Sequence, residues 1–300
     1  MRPSFLHRLT LRQIEIFLAV CRLRNYSRAA DELALTQPAV SAQIRQVENV
    51  VGEALFDYIG KQLNITPAGL LLERAARDLQ QRLVSLEMEL AELKGEVQGT
   101  LNIAAESSAQ YFLPGLLSTF SERNPGVDIR LDIDNRARTL KRLNEGRHEL
   151  VITGAPPPDR TLQFTPFRDN PLIAVARADH PLSNNESISF FELTQERLLL
   201  RESGSGTRLA VEEFAQIKAV KLTHVYQLGS LEAIKAGVME GLGVSILPLD
   251  ACTQEIEHGL LRSLPVDGFP LKRSWCVVHF RKRQLTPVSQ RFTQFLLDPD

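Results

Sequence analysis

Two short polar stretches carry the residue types best suited to holding a small charged molecule: Glu106-Ser107-Ser108-Ala109 and Glu202-Ser203-Gly204-Ser205-Gly206-Thr207-Arg208. Each lies between an apolar run that reads as a strand and a stretch with helical spacing. Hydroxyls and backbone N–H groups therefore gather at a helix N-terminus, where an anion is stabilised. Arg208 and Arg136 supply charge. Ligands of open parallel sheets sit at the carboxyl ends of strands. Asn135, Thr153 with Gly154, and Gly229-Ser230 each fall at such an end and complete a ring. The expected anion site is thus Ser107, Ser108, Asn135, Arg136, Thr153, Gly154, Glu202, Ser203, Gly206, Thr207, Arg208 and Ser230. A Gly-Ser loop ahead of a helix is also an ordinary turn and cap, and that alternative stays open for each residue taken singly.

The same loop does not read as an enzyme site, and no catalytic residue is assigned. It lacks the Lys-Ser or Lys-Thr ending of a phosphate-binding P-loop, the chain has no G-x-S-x-G elbow, and Gly204-Ser205-Gly206 has no third glycine at the offset of a dinucleotide fingerprint. The nearest histidine in sequence, His224, belongs to a separate expected element, and no carboxylate–histidine pairing is visible.

A second chemistry is written into residues 25 to 67. A helix expected from Gln37 to about Val51 places Val40, Ile44, Val47 and Val51 on one stripe, and Pro38, Ser41, Ala42, Arg45, Gln46 and Asn49 on the other face. Short or hydrogen-bonding side chains on an exposed helix face suit entry into a major groove. Thr36 reads as the cap of this helix and Ser27 as the cap of a shorter one, Arg28 to about Leu33, with Ala29, Ala30 and Leu33 facing inward. A further helix, Leu11 to Leu23, opens on Thr10 with Gln13 three residues on, a capping-box pair. Leu11, Ile14, Phe17, Leu18 and Cys21 are its expected core face. Phe56 to Tyr58 and Leu63 to Ile65 then form a small wing with Gly60 and Lys61 at its tip. The expected DNA contacts are Arg28, Thr36, Gln37, Pro38, Ser41, Arg45 and Lys61. A plain three-helix packing unit with a solvated polar face is the alternative.

At 300 residues with 43% apolar content, the chain is long enough for more than one core. The net charge of −1 says nothing for nucleic acid, but the first 30 residues hold six arginines, Arg2, Arg8, Arg12, Arg22, Arg24 and Arg28, against the single acid Glu15. Local sign matters more than the sum beside a phosphate backbone. No apolar run is long enough for a signal peptide or a membrane span, so a cytoplasmic protein with no membrane partner is expected. Cys21, Cys252 and Cys276 are odd in number and set in apolar stretches, which reads as buried thiols rather than disulfides. The histidines are scattered, and Cys276 and His279 would face opposite sides of a strand, so no metal site is expected. The basic run Lys272, Arg273, Arg281, Lys282 and Arg283 reads as a solvated strand edge.

Thr66-Pro67 opens the longest helix, to about Glu96. Leu72, Leu79, Leu86 and Leu93, interleaved with Ala76, Leu83, Leu90 and Val97, make a narrow two-position heptad seam, which argues for a helix pair and so for self-association. Gly95 and Gly99 read as the hinge beyond it. From Thr100 the pattern becomes strand, small-polar loop, helix, strand, helix, strand, and it occurs twice. Two α/β halves would enclose a hinged cleft fit for a small molecule, with crossings near Gln163 to Arg168 and Pro265 to Gly268. The expected fold class is α+β and multidomain: a winged helix-turn-helix over 1–66, a linker helix over 67–96, and an α/β ligand domain over 97–300. Within the last, one subdomain takes 100–163 with 268–300 and the other 164–267.

Thr36-Gln37-Pro38-Ala39-Val40-Ser41, Leu55-Phe56 and Thr66-Pro67-Ala68-Gly69 together resemble the winged-helix signature of LysR-type transcriptional regulators, and the likeness covers the whole chain in order and length. It implies a periplasmic-binding-protein-like effector domain, an antiparallel dimer through the linker helix, a tetramer of two dimers, a double-stranded DNA operator, and contact with RNA polymerase. Four further stretches, Thr10 to Phe17, Ala109 to Pro114, Ile152 to Pro157 and Arg201 to Arg208, are similar to the subgroup that activates Calvin-cycle (RuBisCO) carbon-fixation operons. That likeness implies no bound cofactor but a small anionic effector, such as a phosphorylated sugar (ribulose bisphosphate), phosphoenolpyruvate or NADPH. A regulator of sulfur or nitrogen assimilation is the competing member of the family. A solute-binding protein shares the cleft but explains neither the wing nor the heptads. Two departures bear on DNA reading: many family members carry arginine where this chain has Ala42, and Tyr58 stands where others have a basic wing residue.

Overall fold

A computed structural model describes residues 8–93, 97–154 and 159–298. These fall into two compact units, one running to Glu87 and the other starting at Met88.

The first unit contains α1 (Leu11–Leu23), α2 (Tyr26–Glu32), α3 (Gln37–Val51), β1 (Phe56–Ile59), β2 (Gln62–Ile65) and the start of α4 (Pro67–Glu92). Local chemistry sets the helix ends. The Gln13 backbone N–H donates to Thr10 Oγ1 at 3.2 Å and the Thr10 N–H to Gln13 Oε1 at 3.0 Å, closing the capping box of α1. Asn25, not Ser27, caps α2: its Oδ1 accepts the Arg28 N–H at 3.0 Å, and Ser27 lies one turn-step inside the helix. Thr36 caps α3, Pro38 sits in the first turn where a missing N–H costs nothing, and Gly52 ends the helix at φ +83°.

Phe17, Leu18, Ala29, Ala30, Val40, Ile44, Val47, Leu55 and Phe56 share one core, with the Phe17 and Phe56 rings 5.6 Å apart. Burying each large side chain contributes about 1.5–3 kcal/mol. Leu11 does not join it: at 59% exposure it lies on the outer face, and Ile16 takes the inner one. β1 and β2 pair antiparallel through the two-residue turn Gly60-Lys61, with Gly60 at φ +64°. Gly69 permits the closest approach in this unit, because a Cβ there would collide with the Leu55 carbonyl and stand 2.5 Å from Ile65 Cγ1.

Helix α4 spans Pro67–Glu92, and Gly95 and Glu96, where the sequence expectation placed the hinge and the helix end, lie outside the described residues. Leu72 and Ala76 pack into the winged core. Further along, Leu79, Leu83, Leu86 and Leu90 are exposed at 41, 38, 44 and 51%.

The second unit carries β3 (Gly99–Glu106), α5 (Leu113–Arg123), β4 (Val127–Asp134), α6 (Arg136–Asn144), β5 (Leu150–Gly154), β6 (Leu162–Asp169), β7 (Leu172–Arg177), α7 (Phe190–Gln195), β8 (Leu198–Arg201), α8 (Gly206–Ile217), β9 (Val225–Leu228), α9 (Leu231–Met239), β10 (Val244–Pro248), α10 (Leu249–Glu257), β11 (Leu261–Ser263), β12 (Ser274–Phe280) and α11 (Pro287–Leu297). One sheet has the order β4-β3-β5-β12-β6, the other β11-β7-β10-β8-β9. β3 is parallel to β4 and β5, and β8 to β9 and β10, which is the expected βαβ winding. β12 and β7 run antiparallel to their neighbours, so both sheets are mixed rather than parallel. Leu101, Ile103, Leu113, Phe120, Trp275 and Phe292 fill the first core; α7 and α8 cover one face of the second sheet, α9 and α10 the other.

The crossings fall later than the sequence reading placed them. Residues 164–169 pair with β12 inside the first sheet, so the chain passes over after Asp169, and it returns just before Ser274, after Leu271 has paired with Leu172.

Candidate functional site: nucleic-acid interface and anion cleft

On the first unit, α3 presents Gln37, Pro38, Ala42, Arg45, Gln46 and Asn49 to solvent, while Ser41 is half-buried. Arg45 Nη2 reaches back to Ser41 Oγ at 3.4 Å, one helical turn earlier. Thr36 is spent on capping but stays exposed, and its hydroxyl receives the Ala39 N–H at 3.4 Å. Arg28 stands exposed on α2 and Lys61 at the wing tip beside exposed Tyr58 and Ile59. Arg24, in a left-handed conformation at φ 50°, joins Lys61, Gln62 and Asn64 around a hollow at the wing's base. Of the N-terminal arginines, Arg12 pairs with Glu15 at 2.6 Å and Arg22 with Glu32, which leaves them less to give a phosphate. Arg2 lies outside the described residues. The arrangement offers an exposed helix face for a groove, with exposed cations on α2 and on the wing of the same unit.

In the second unit the two Ser-containing loops come together across the subdomains. Arg201, at the end of β8 and 5% exposed, donates from Nε to Glu202 Oε2 at 2.8 Å, from Nη2 to Glu202 Oε1 at 3.0 Å, and from Nη1 across the cleft to Ser107 Oγ at 3.0 Å. Asn135, the cap of α6, donates from Nδ2 to Glu202 Oε1 at 3.2 Å, and the Ala137 N–H meets the Gly204 carbonyl at 3.0 Å. Burial pushes the Glu202 carboxyl up, but hydrogen bonds from Arg201, its own backbone and Asn135, with the Arg201 charge, hold it below the usual carboxylate value. Glu202 is therefore an internal anion engaged with the cleft's own cation.

Glu106 ends β3 almost wholly buried. Its Oε1 accepts from Thr153 Oγ1 and from the Gly154 N–H at 3.0 Å, while a Cβ at Gly206 would stand 2.5 Å from its Oε2. Ser108 and Thr207 are buried at the loop ends, and Ser203 is exposed. Ser230 accepts the Ala233 N–H at 3.1 Å as the cap of α9. Arg208, an expected charge partner, is engaged within the protein: Glu212 takes its Nε at 2.7 Å, and Gln227 and the Arg201 carbonyl take its Nη1 at 2.7 and 3.1 Å. Ala155 to Pro157, part of one of the recognised stretches, lie outside the described residues.

Three features escaped the sequence reading. Arg201 sat in an apolar strand with no sign that its head would be the buried hub of the cleft. Arg273 is half-buried over Gly154, where a Cβ would strike its Nη2, rather than on a solvated edge. Gln110 Nε2 and Tyr111 Oη both donate to Glu232 Oε1 at 2.7 Å, tying the Ser107–Tyr111 turn to α9. Among the described residues no group of side chains could hold a metal, and no helix is long and apolar enough to cross a membrane.

Residues 11–70 match the family described as bacterial regulatory helix-turn-helix protein, lysR family, and residues 94–299 match the LysR substrate binding domain. The chain is 40% identical to a RuBisCO operon transcriptional regulator of Allochromatium vinosum, over 96% of this chain and 95% of that one. It is 38% identical to the HTH-type transcriptional activator CmpR of Synechocystis, over 97% and 96%. Among solved structures, the regulatory domain of Synechocystis CcmR in complex with 2-PG is similar at 37% identity and a TM-score of 0.63, covering 67% of this chain and 96% of that one.

Proposed function

The chain belongs to the LysR family of helix-turn-helix transcriptional regulators, and from that premise we propose that it activates carbon-fixation genes in response to a small phosphorylated anion bound in the cleft. The observation that carries this reading is the near end-to-end likeness to regulators named for the RuBisCO operon, combined with a cleft whose ends are lined by arginines and hydroxyls. The ligand of the CcmR regulatory domain, 2-phosphoglycolate, joins ribulose bisphosphate, phosphoenolpyruvate and NADPH as a candidate.

Residues 1–66 read DNA, 67–96 pair two copies, and 97–300 sense the ligand. Gln37, Pro38, Ser41 and Arg45 face base edges; Arg28, the Thr36 end of α3 and Lys61 hold phosphate. Ser107, Ser108, Thr207 and the Gly206 N-terminus of α8 receive the anion, with Asn135 and Thr153 positioning it and Arg201 changing partner from Glu202 to ligand. The exposed leucines of α4 are covered by a second copy, and two such dimers form the tetramer that meets RNA polymerase in the cytoplasm. Ligand shifts a population between two settings of the cleft, and the DNA bend follows.

Calorimetric titration of the full chain with 2-phosphoglycolate, ribulose bisphosphate, phosphoenolpyruvate, NADPH and sulfate tests the sensing step, with footprinting on a RuBisCO promoter beside it. Binding of a phosphorylated compound that moves the footprint is the expected result. Silence toward all of them in a folded sample, with sulfate bound, would transfer the reading to an assimilation regulator.

A further inference from the structure

Arg136 opens α6 and Arg273 precedes β12, so they reach the cleft from different elements of the first subdomain. Arg273 lies over Gly154 and the Arg136 side chain beside Gly206, and the buried Glu106 carboxylate adjoins both glycines. Arg273 Nη2 occupies the space a Cβ at Gly154 would need, Glu106 Oε1 binds the Gly154 N–H, and a Cβ at Gly206 would lie 2.5 Å from Glu106 Oε2 and 3.2 Å from Arg136 Cδ. Neither guanidinium makes a hydrogen bond or ion pair among the described residues, although both are half-buried. Nearly every other cation at the cleft is committed: Arg201 to Glu202 and Ser107, Arg208 to Glu212 and Gln227, Arg168 to Asp250.

We propose that Arg136 and Arg273 are a two-guanidinium clamp for the phosphate group of the ligand, an assignment that rests on the anion-cleft reading above. Two like charges held together and out of water are costly unless something neutralises them. Glu106 and Glu213 offset part of that cost in the free protein: burial, and then Arg136, pull the Arg273 guanidinium below the ordinary arginine value, against the raising effect of the two carboxylates. Glu106 Oε1 is already engaged by Thr153 and Gly154, so that oxygen is not free to pair with either guanidinium. The N-terminus of α8 at Gly206 adds roughly half a charge. Two planar forks arriving from separate elements need acceptor oxygens in more than one direction. A tetrahedral phosphate supplies three, whereas a carboxylate has two in one plane. Both glycines are required for this: a side chain at either would fill the ledge over which the forks lie.

The test is calorimetric titration of the full chain and of Arg136→Gln and Arg273→Gln with 2-phosphoglycolate, glycolate and malonate, each variant first checked for an unchanged unfolding temperature. Each lost charge-assisted pair is expected to weaken 2-phosphoglycolate about ten- to hundred-fold, and the unaltered chain is expected to bind it at least about a hundred-fold more tightly than glycolate or malonate. If Arg273→Gln does not fold, Arg273→Lys keeps the charge without the fork and still loses affinity. Wild-type affinity in both variants, or malonate binding as tightly as 2-phosphoglycolate, would overturn the clamp and leave the anion cleft standing. An unaltered chain that binds neither 2-phosphoglycolate nor, in the same titration, ribulose bisphosphate, phosphoenolpyruvate or NADPH would overturn both.

Discussion

Arg45 is the cation on the exposed face of α3, held among the described residues by Ser41 Oγ at 3.4 Å, and on the same face Ala42 leaves room rather than reach. A small methyl at that position suits close approach to a base edge or a thymine methyl, so discrimination passes to Arg45 with Gln37 and Ser41. Arg45→Ala is expected to cost about 1–3 kcal/mol of operator affinity if the guanidinium reads a base, or to flatten the salt dependence by roughly one unit if it holds a phosphate. Fluorescence anisotropy on the operator at several salt concentrations separates the two. An unchanged affinity with an unchanged slope would take Arg45 out of the interface.

At the scale of elements, the junction of β1, β2 and α4 depends on Gly69, because the Leu55 carbonyl and the Ile65 side chain fill the space over its Cα. Gly69→Ala gains helix propensity but forces α4 away from the wing, and overpacking of this kind costs about 1–3 kcal/mol. Chemical denaturation followed at the winged unit should show a lower midpoint, and a higher one would refute the contact. Further along the same helix, Leu79, Leu83, Leu86 and Leu90 form an apolar stripe that stays partly exposed. Leu83→Asp is therefore expected to convert a dimer to a monomer in sedimentation and to weaken binding to a two-fold operator by the lost effective concentration. Elements with local signals were readable from sequence alone: Thr10 with Gln13, Thr36 with Pro38, and the Gly60-Lys61 turn each act within a few residues. Asn25 and Ser27 are both short and polar ahead of Ala29 and Ala30, and only the backbone decides between them as cap. The crossings were misplaced because Pro166 and the polar residues around it look like a linker. β6 is an edge strand, which tolerates proline. Arg273 was illegible for another reason: Gly154, Glu106 and Gly206 reach it from three separate elements, and no spacing in the sequence brings them together.

At the scale of the whole molecule, the free cleft is held by contacts that a ligand must compete with or reinforce: Arg201 to Ser107, Asn135 to Glu202, Ala137 to Gly204, and Gln110 with Tyr111 to Glu232. Glu202 occupies Arg201 with both oxygens, so in the proposed exchange of partners at Arg201 any part of the ligand that reaches it displaces a carboxylate. A ligand shifts an equilibrium only by its differential affinity for the two settings, and exchanging one anion for another on Arg201 makes that difference modest. Its effect on DNA should therefore appear as a change of shape more than of strength. With operator DNA labelled at both ends, saturating 2-phosphoglycolate is expected to alter the end-to-end energy transfer while the dissociation constant moves by less than about ten-fold, or about 1.4 kcal/mol. Glu202→Gln removes the internal competitor, so its energy transfer should shift toward the ligand-bound value before any ligand is added. A variant that keeps the free value, in a chain whose ligand still alters the transfer, would mean that Glu202 does not hold the free setting.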